Sequence, residues 1–143
     1  MSVNKHLTAN LGEGPAGKKV KLAALWTAMM LLYIYADILS LFRPGQLQEM
    51  TEGLMGPFPA TQGSLLTAAI LMIIPAVMVF LSVSLKASAN RWANIILGTL
   101  YTLVNISNLI GETWAYYLLF GIVEIACTAL IIWHAWKWPV EEA

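Results

Sequence analysis

Four stretches of this sequence are long enough and apolar enough to cross a membrane as helices. Backbone groups in hydrocarbon must find hydrogen-bond partners within helices or closed barrels, and none of the four stretches alternates as a barrel strand does. The sequence therefore predicts an all-α fold, an integral membrane four-helix bundle with up-down-up-down connections. The predicted spans, within a domain of residues 22–138, are residues 22–42, 64–85, 92–110 and 114–136.

Composition agrees with a membrane protein and excludes several classes of function. The chain is 59% hydrophobic and 11% charged, which is far from the composition of a soluble domain. Eight basic and eight acidic side chains leave no net charge to attract nucleic acid. The single cysteine, Cys127, cannot form an internal disulfide, and no imidazole lies at ligand spacing from a carboxylate. We therefore predict no nucleic-acid partner, no metal and no cofactor.

The distribution of lysine and arginine indicates the orientation of the spans. Residues 1–21 contain four lysines, and the loop after the second span adds Lys86 and Arg91, whereas the segment after the first span has only Arg43. Because positively charged flanks stay in the cytoplasm, we expect both termini there. Residues 1–21 have no apolar period, so they are predicted to form a mobile cytoplasmic tail.

One long connection joins the first two spans, residues 43–63. Pro44 is typical of the first residue of a short helix, and Gly53 or Gly56 of the position just past its end. We expect a short helix in this external loop. Two interpretations stay open: the loop caps the outer end of the bundle, or it is a passive surface loop.

Two ionisable residues, Asp37 and Glu124, lie inside the predicted spans. Burying a charge at membrane depth costs roughly 2.5–3.5 kcal/mol on insertion scales, so such residues are functional candidates. At about 1.5 Å per helical residue, Asp37 lies roughly 8 Å and Glu124 roughly 15 Å below the outer surface. Asp37 also has a structural interpretation, as a protonated acid that donates to a neighbouring carbonyl.

The third span has a polar stripe, because its polar and small residues recur at alternating intervals of four and three. The residues of this stripe are Asn94, Gly98, Tyr101, Asn105, Asn108 and Glu112. Shorter stripes on the first and fourth spans include Tyr33, Asp37 and Glu124. Since lipid offers no polar partners, these stripes should face each other. The predicted ligand-binding residues are Tyr33, Asp37, Tyr101, Asn105, Asn108 and Glu124.

Three functions are consistent with this arrangement. The leading hypothesis is a protein that binds or carries a small cationic or amphipathic molecule in a polar cavity of the outer half. The alternative is an accessory or structural subunit, in which the asparagines form hydrogen bonds between helices. An intramembrane enzyme that uses Asp37 and Glu124 as acid and base is the least favoured, and no residue is predicted to be catalytic.

Pro75 lies near the middle of the second span. Proline has no amide hydrogen, so the carbonyl of Leu71, four residues earlier, loses its helical partner. We expect a kink in the helix there.

Arg91 and Trp92 open the predicted third span after Asn90, a favourable helix N-cap. In the simplest interpretation Arg91 sets the orientation and Trp92 anchors the helix at the interface. The alternative is a lipid phosphate held by Arg91 and the exposed helix amides.

Two motifs resemble those of a known group of proteins. They are Tyr35-Ala-Asp37-Ile-Leu-Ser-Leu followed by Pro44-Gly45, and Asn90-Arg-Trp-Ala-Asn94-Ile-Ile. Both are similar to segments of uncharacterised small bacterial membrane proteins that are broadly DoxX-like in size and four-span layout. The resemblance covers residues 22–136 and implies a multi-pass protein of the bacterial inner membrane, without an assigned activity.

The expected partners are membrane lipids and the small ligand. The small residues Ala23, Ala24 and Ala28 would also suit the contact of a homodimer. No pattern selects one interface, so the oligomeric state stays open.

Overall fold

The computed structural model describes residues 14–139, and 79% of them are helical. The predicted helical class is therefore confirmed. The helices are α1 (Pro15–Ser40), α2 (Gln46–Thr51), α3 (Gln62–Ser84), α4 (Ala87–Leu109) and α5 (Ala115–Trp136). Between α2 and α3, the strands β1 (Leu54–Met55) and β2 (Phe58–Pro59) pair antiparallel in a small hairpin.

The first helix begins earlier than the predicted first span. Proline occupies its first turn, where the missing amide hydrogen costs nothing and the fixed φ angle suits a helix. The lysines and alanines that follow are good helix formers. Residues 15–21, predicted to belong to a mobile tail, are therefore helical instead, and residues 1–13 of that predicted tail lie outside the described residues.

Three of the four long helices, α1, α3 and α5, are long and apolar enough to cross a membrane. The predicted third span, residues 92–110, falls within α4, which does not reach the same hydropathy. The physical reason is its polar stripe, because several asparagines replace aliphatic residues along one side of the helix. The apolar helices are those of a membrane protein.

The four long helices pack unevenly against each other. α1 packs extensively against α3 and α5, and α4 packs extensively against α5, whereas α3 and α4 make few close approaches. Gly98 permits the approach of α4 to α5, since a Cβ atom at that position would lie 2.9 Å from Cγ1 of Ile132. The gap between α3 and α4 leaves room for a cleft.

We call the two ends of these helices the basic end and the acidic end. At the basic end, the start of α1 meets the end of α3 and the start of α4, as shown by hydrogen bonds from Lys19 to the carbonyl of Val83 and from Trp26 to Asn94. At the acidic end, the end of α1 meets the start of α5 through Arg43 and Glu112. The largest buried apolar side chains, among them Leu22, Trp26, Met29, Met78 and Ile131, belong to the basic half.

The loop between α1 and α3 contains α2 and the hairpin. None of the α2 residues is buried, and the apolar side chains of Leu47, Met50 and Phe58 are exposed. Gly45 and Gly53 adopt φ angles of 83° and 82°, which permit the tight turns on either side of α2. The α2 residues and the apolar side chain of Phe58 therefore lie at the surface of the protein.

Candidate binding site

The predicted polar stripe of α4 faces the interior of the protein along most of its length. Asn90, Asn94, Gly98, Tyr101 and Asn105 are all buried. By contrast, most of the side chains that α4 exposes over this stretch are large and apolar: Trp92, Ile96, Leu100, Leu103 and Ile106. Thr99 is exposed as well. The stripe is thus directed toward the neighbouring helices.

At the basic end, the stripe forms a closed hydrogen-bond network. The indole of Trp26 donates to Oδ1 of Asn94 at 2.7 Å, and Nδ2 of Asn94 donates to Oδ1 of Asn90 at 2.6 Å. Nδ2 of Asn90 in turn donates to the carbonyl of Ser82 at 2.6 Å. That carbonyl lies in the last turn of α3, where the carbonyl groups have no amide donor within the helix. These asparagines therefore join α1, α3 and α4 in a satisfied network.

Asn90 has a different role from the one predicted. It is not the N-cap of α4, because the helix begins earlier and Lys86 occupies the N-cap position. Asn90 is instead fully buried inside α4 and satisfies the end of α3. The local capping preference of asparagine could not reveal this role, because its partner lies on another helix.

Tyr101 does not lie at the predicted ligand site. Its hydroxyl donates to the carbonyl of Leu71 at 2.6 Å, which is the carbonyl that Pro75 deprives of its helical donor. Its ring packs edge-on against Trp26, with centroids 5.8 Å apart. The Tyr101 hydroxyl thus supplies the hydrogen-bond donor that Pro75 removes from α3.

Four of the predicted ligand-binding residues line one cleft in the acidic half. The cleft has a volume of about 70 Å³, and its lining residues are Tyr33, Ala36, Asp37, Met72, Val104, Asn108, Tyr117 and Glu124. Glu124 is only 5% exposed, whereas Asp37 and Asn108 are exposed at the mouth of the cleft. All four long helices contribute to the lining.

Asn105 lies behind the cleft rather than on its surface. It is fully buried, and its Oδ1 accepts a hydrogen bond from the hydroxyl of Tyr33, which itself lines the cleft. The Nδ2 group of Asn105 is buried and has no hydrogen-bond partner. Asn105 thus positions Tyr33 through its Oδ1 atom, while its Nδ2 group remains without an acceptor.

No basic side chain among the described residues pairs with either carboxyl group of the cleft. Within residues 14–139, the one ion pair joins Arg43 to Glu112, and no hydrogen bond from another side chain reaches Asp37 or Glu124. Acidic side chains at membrane depth ordinarily pair with a basic group or a backbone donor. This cleft therefore offers negative or protonated oxygen atoms to whatever enters it.

A second cluster, centred on Arg43, ties the acidic ends of α1 and α5 together. Nη2 of Arg43 lies 2.9 Å from Oε2 of Glu112, and its Nε donates to the hydroxyl of Tyr116 at 2.5 Å. The guanidinium also lies 5.1–5.3 Å from the ring centroids of Trp114, Tyr116 and Tyr117. Because Tyr117 also lines the cleft, this cluster supports one of its walls.

Glu112 is held in its ionised form by this cluster. Partial burial acts to raise the pKa of its carboxyl, but hydrogen bonds from the Trp114 amide, from Arg43 and from the Thr113 amide together lower that pKa below its ordinary value. The Arg43 cluster was not predicted from the sequence. The residues that could have indicated it are the single arginine after the first span and the aromatic run that follows Glu112.

The fold and the site define a class, a helical protein with the apolar helices of a membrane protein and a small acidic cleft between them. A family model matches residues 12–143, and the chain belongs to that family, described as a family of unknown function, DUF6326. This agrees with the predicted membership of an uncharacterised family, whereas no match supports a DoxX-like relationship. Neither a curated protein nor a solved structure matches the chain.

Proposed function

We propose that this protein is a four-span membrane protein that binds the charged head of a small amphipathic amine between Asp37 and Glu124. The single observation that carries the proposal is the cleft itself. Its lining contains two carboxyl groups without a described basic partner. A ligand cation would supply the missing charge in a region where water is scarce.

The distribution of exposed side chains supports α4 as the fourth span. Its asparagines at positions 90, 94 and 105 are fully buried, and between residues 92 and 106 most of its exposed side chains are large and apolar. Lipid would therefore contact mainly apolar side chains of α4, although the mean hydropathy of the whole helix is modest. With four spans, both ends of the chain lie on the side of the basic end, which the positive-inside rule assigns to the cytoplasm. We expect a bacterial inner membrane as the location.

The size of the cleft restricts what can enter it. At about 70 Å³ it is smaller than the roughly 150 Å³ of a cavity that holds benzene, and far below the roughly 300–1,000 Å³ of a drug-binding pocket. A protonated amine fits, whereas a whole amphipathic molecule does not. The apolar part of the ligand must therefore lie outside the cleft.

The mouth of the cleft offers a place for that apolar part. Asp37 is exposed at the mouth, Ile34 lies on the same face of α1 one turn before it, and Leu41 directly follows the end of that helix. Both are exposed to the surroundings, with Ile34 at 50%. An alkyl chain that leaves the cleft beside Asp37 would contact these residues and the lipid around them.

The proposal is tested by thermal unfolding of the full chain in detergent with decylamine and its neutral counterpart decanol. At about 100 times its Kd, a ligand stabilises by about 2.7 kcal/mol, so decylamine should raise Tm by about 4 °C or more. Decanol should raise it by much less. Glu124→Gln should abolish the difference between the two compounds, because it removes the enclosed charge.

Two further variants keep this test decisive. Asp37→Asn lies at the exposed mouth, so it should fold normally and still reduce the effect of decylamine. Glu49→Gln, on the exposed helix α2, is the matched control and should respond as the wild type does. An equal response to decylamine and decanol, or an unchanged response in both cleft variants, would refute the proposed site.

An accessory or structural role is the second candidate. It is favoured by the basic half, where the asparagines of the same stripe are used entirely in joining helices. In that case Asp37→Asn and Glu124→Gln should change the abundance or assembly of the protein in membranes and leave no amine response to lose.

A further inference from the structure

Apart from Arg43, the described basic residues all lie at one end of the helices. Among the described residues, the basic end contains six cations: Lys18, Lys19, Lys21, Lys86, Arg91 and Lys137. The acidic residues of the same part of the chain all lie in the other half or in the loop between α1 and α3: Asp37, Glu49, Glu52, Glu112 and Glu124. No described carboxylate therefore neutralises the basic end.

Arg91 differs from the lysines of the basic end in its surroundings. Its guanidinium carbon lies 5.9 Å from the ring centroid of Trp92 and 6.0 Å from that of Trp136. Both tryptophans are exposed, at 54% and 63%. Such contacts orient the planar guanidinium while leaving its N–H groups available for other partners.

Hydrogen-bond donors at this end remain unused. Nε of Arg91 is enclosed and has no acceptor, and the indole nitrogen of the buried Trp138, two residues after Trp136, has none either. Within residues 14–139 no ion pair involves Arg91. A buried donor without an acceptor is unfavourable, so an acceptor from outside the described residues would be stabilising here.

We propose that Arg91 binds the phosphate of an anionic phospholipid headgroup at the basic end. An arginine fork matches the geometry of phosphate oxygens, and tryptophans are the residues that membrane proteins place at headgroup level. The neighbouring lysines add attraction to an anionic leaflet, whereas the acidic half would repel it. This site lies at the other end of the molecule from the amine cleft and does not depend on it.

The test measures how phosphatidylglycerol and phosphatidylcholine bind to the purified full chain, by native mass spectrometry and by Tm. The salt concentration is kept high, near 0.5 M, to screen the general attraction of the lysines. The wild type should retain phosphatidylglycerol in preference to phosphatidylcholine. Arg91→Lys keeps the charge and loses the fork, so it should lower the affinity for phosphatidylglycerol about tenfold.

Lys86→Gln is the matched control, since it removes a charge from the same end without altering the fork. It should bind phosphatidylglycerol within about twofold of the wild type under these conditions. Equal Tm values of all three proteins in phosphatidylcholine show that the variants fold. The proposal is overturned if Arg91→Lys binds phosphatidylglycerol as tightly as the wild type does. It is also overturned if Lys86→Gln loses as much affinity for phosphatidylglycerol as Arg91→Lys. It also fails if glycerol phosphate alone raises Tm as much as the lipid, because the site would then take free phosphates.

Discussion

The two halves of α4 have the same kind of polar residue in opposite situations. In the basic half, Asn90 and Asn94 are fully buried and bonded to Trp26 and Ser82. In the acidic half, Asn105 retains an unpaired Nδ2 and Asn108 is exposed at the mouth of the cleft. The difference shows that an asparagine stripe in an apolar helix can close a helix junction at one end and border an open site at the other.

Core packing follows the same division. The basic half contains Leu22, Trp26 and Met29 of α1 packed with Ile131 of α5. Along their whole length α3 and α4 make few close approaches, and in the acidic half a cleft remains between residues such as Met72 and Val104. The basic half thus contains the larger share of the buried apolar core, and the acidic half contains the cleft.

The strongest test of this comparison replaces one asparagine in each half. Asn94→Leu removes the acceptor of the Trp26 indole and a donor to Asn90, so it should destabilise the protein by about 2–3 kcal/mol. Asn108→Leu removes an exposed amide without a described partner and should change stability by less than about 0.5 kcal/mol. Unfolding by SDS titration in mixed micelles measures both. Equal losses of stability in the two variants would contradict the proposed difference between the two halves of α4.

A second test concerns the junction between the halves, where Tyr101 bonds to the carbonyl freed by Pro75. Tyr101→Phe leaves that carbonyl without a donor and should cost about 1 kcal/mol. Pro75→Ala restores an amide hydrogen at the same place. In the Pro75→Ala protein, Tyr101→Phe should lower the free energy of unfolding by less than half of what it does in the wild type, measured by the same unfolding assay. An unchanged cost would show that the hydroxyl does not compensate for the proline.

The smallest effect is expected at the Arg43 cluster of the acidic half. The pKa of Glu112 is lowered in the folded protein, so its stabilising effect is complete above the unfolded pKa of about 4.3 and is lost as the pH falls through the folded value. Glu112→Gln should therefore lower Tm slightly at pH 7, by an amount that corresponds to less than about 1 kcal/mol.

The same variant has a clear pH signature. The Tm difference between Glu112→Gln and the wild type should shrink as the pH falls below the unfolded pKa, and it should vanish once the pH lies below the lowered pKa of the folded protein. Glu49→Gln, which alters an exposed carboxyl on α2, should follow the wild type across the whole range. A difference that does not shrink as the pH falls would show that Glu112 acts through packing or capping rather than through its charge.

Much of the site was predictable from the spacing of residues along single helices. The intervals of three and four placed Asn94, Asn105 and their neighbours on one face of α4, and the structure buries that face. Asp37 and Glu124 were identified by their cost in an apolar span, and both line the cleft. The sequence could not reveal the partner of the Tyr101 hydroxyl, the carbonyl of Leu71, because that contact depends on how α3 packs beside α4.

The sequence by itself determined the helical class, the apolar helices and the faces on which polar residues lie. These properties follow from local rules: hydropathy, helical periodicity and the need of backbone groups for internal partners. Only the tertiary structure decided which polar groups bond to each other and which remain open. Those choices depend on distances of a few ångströms between helices far apart in the chain, as at Trp26 with Asn94 and at Arg43 with Glu112.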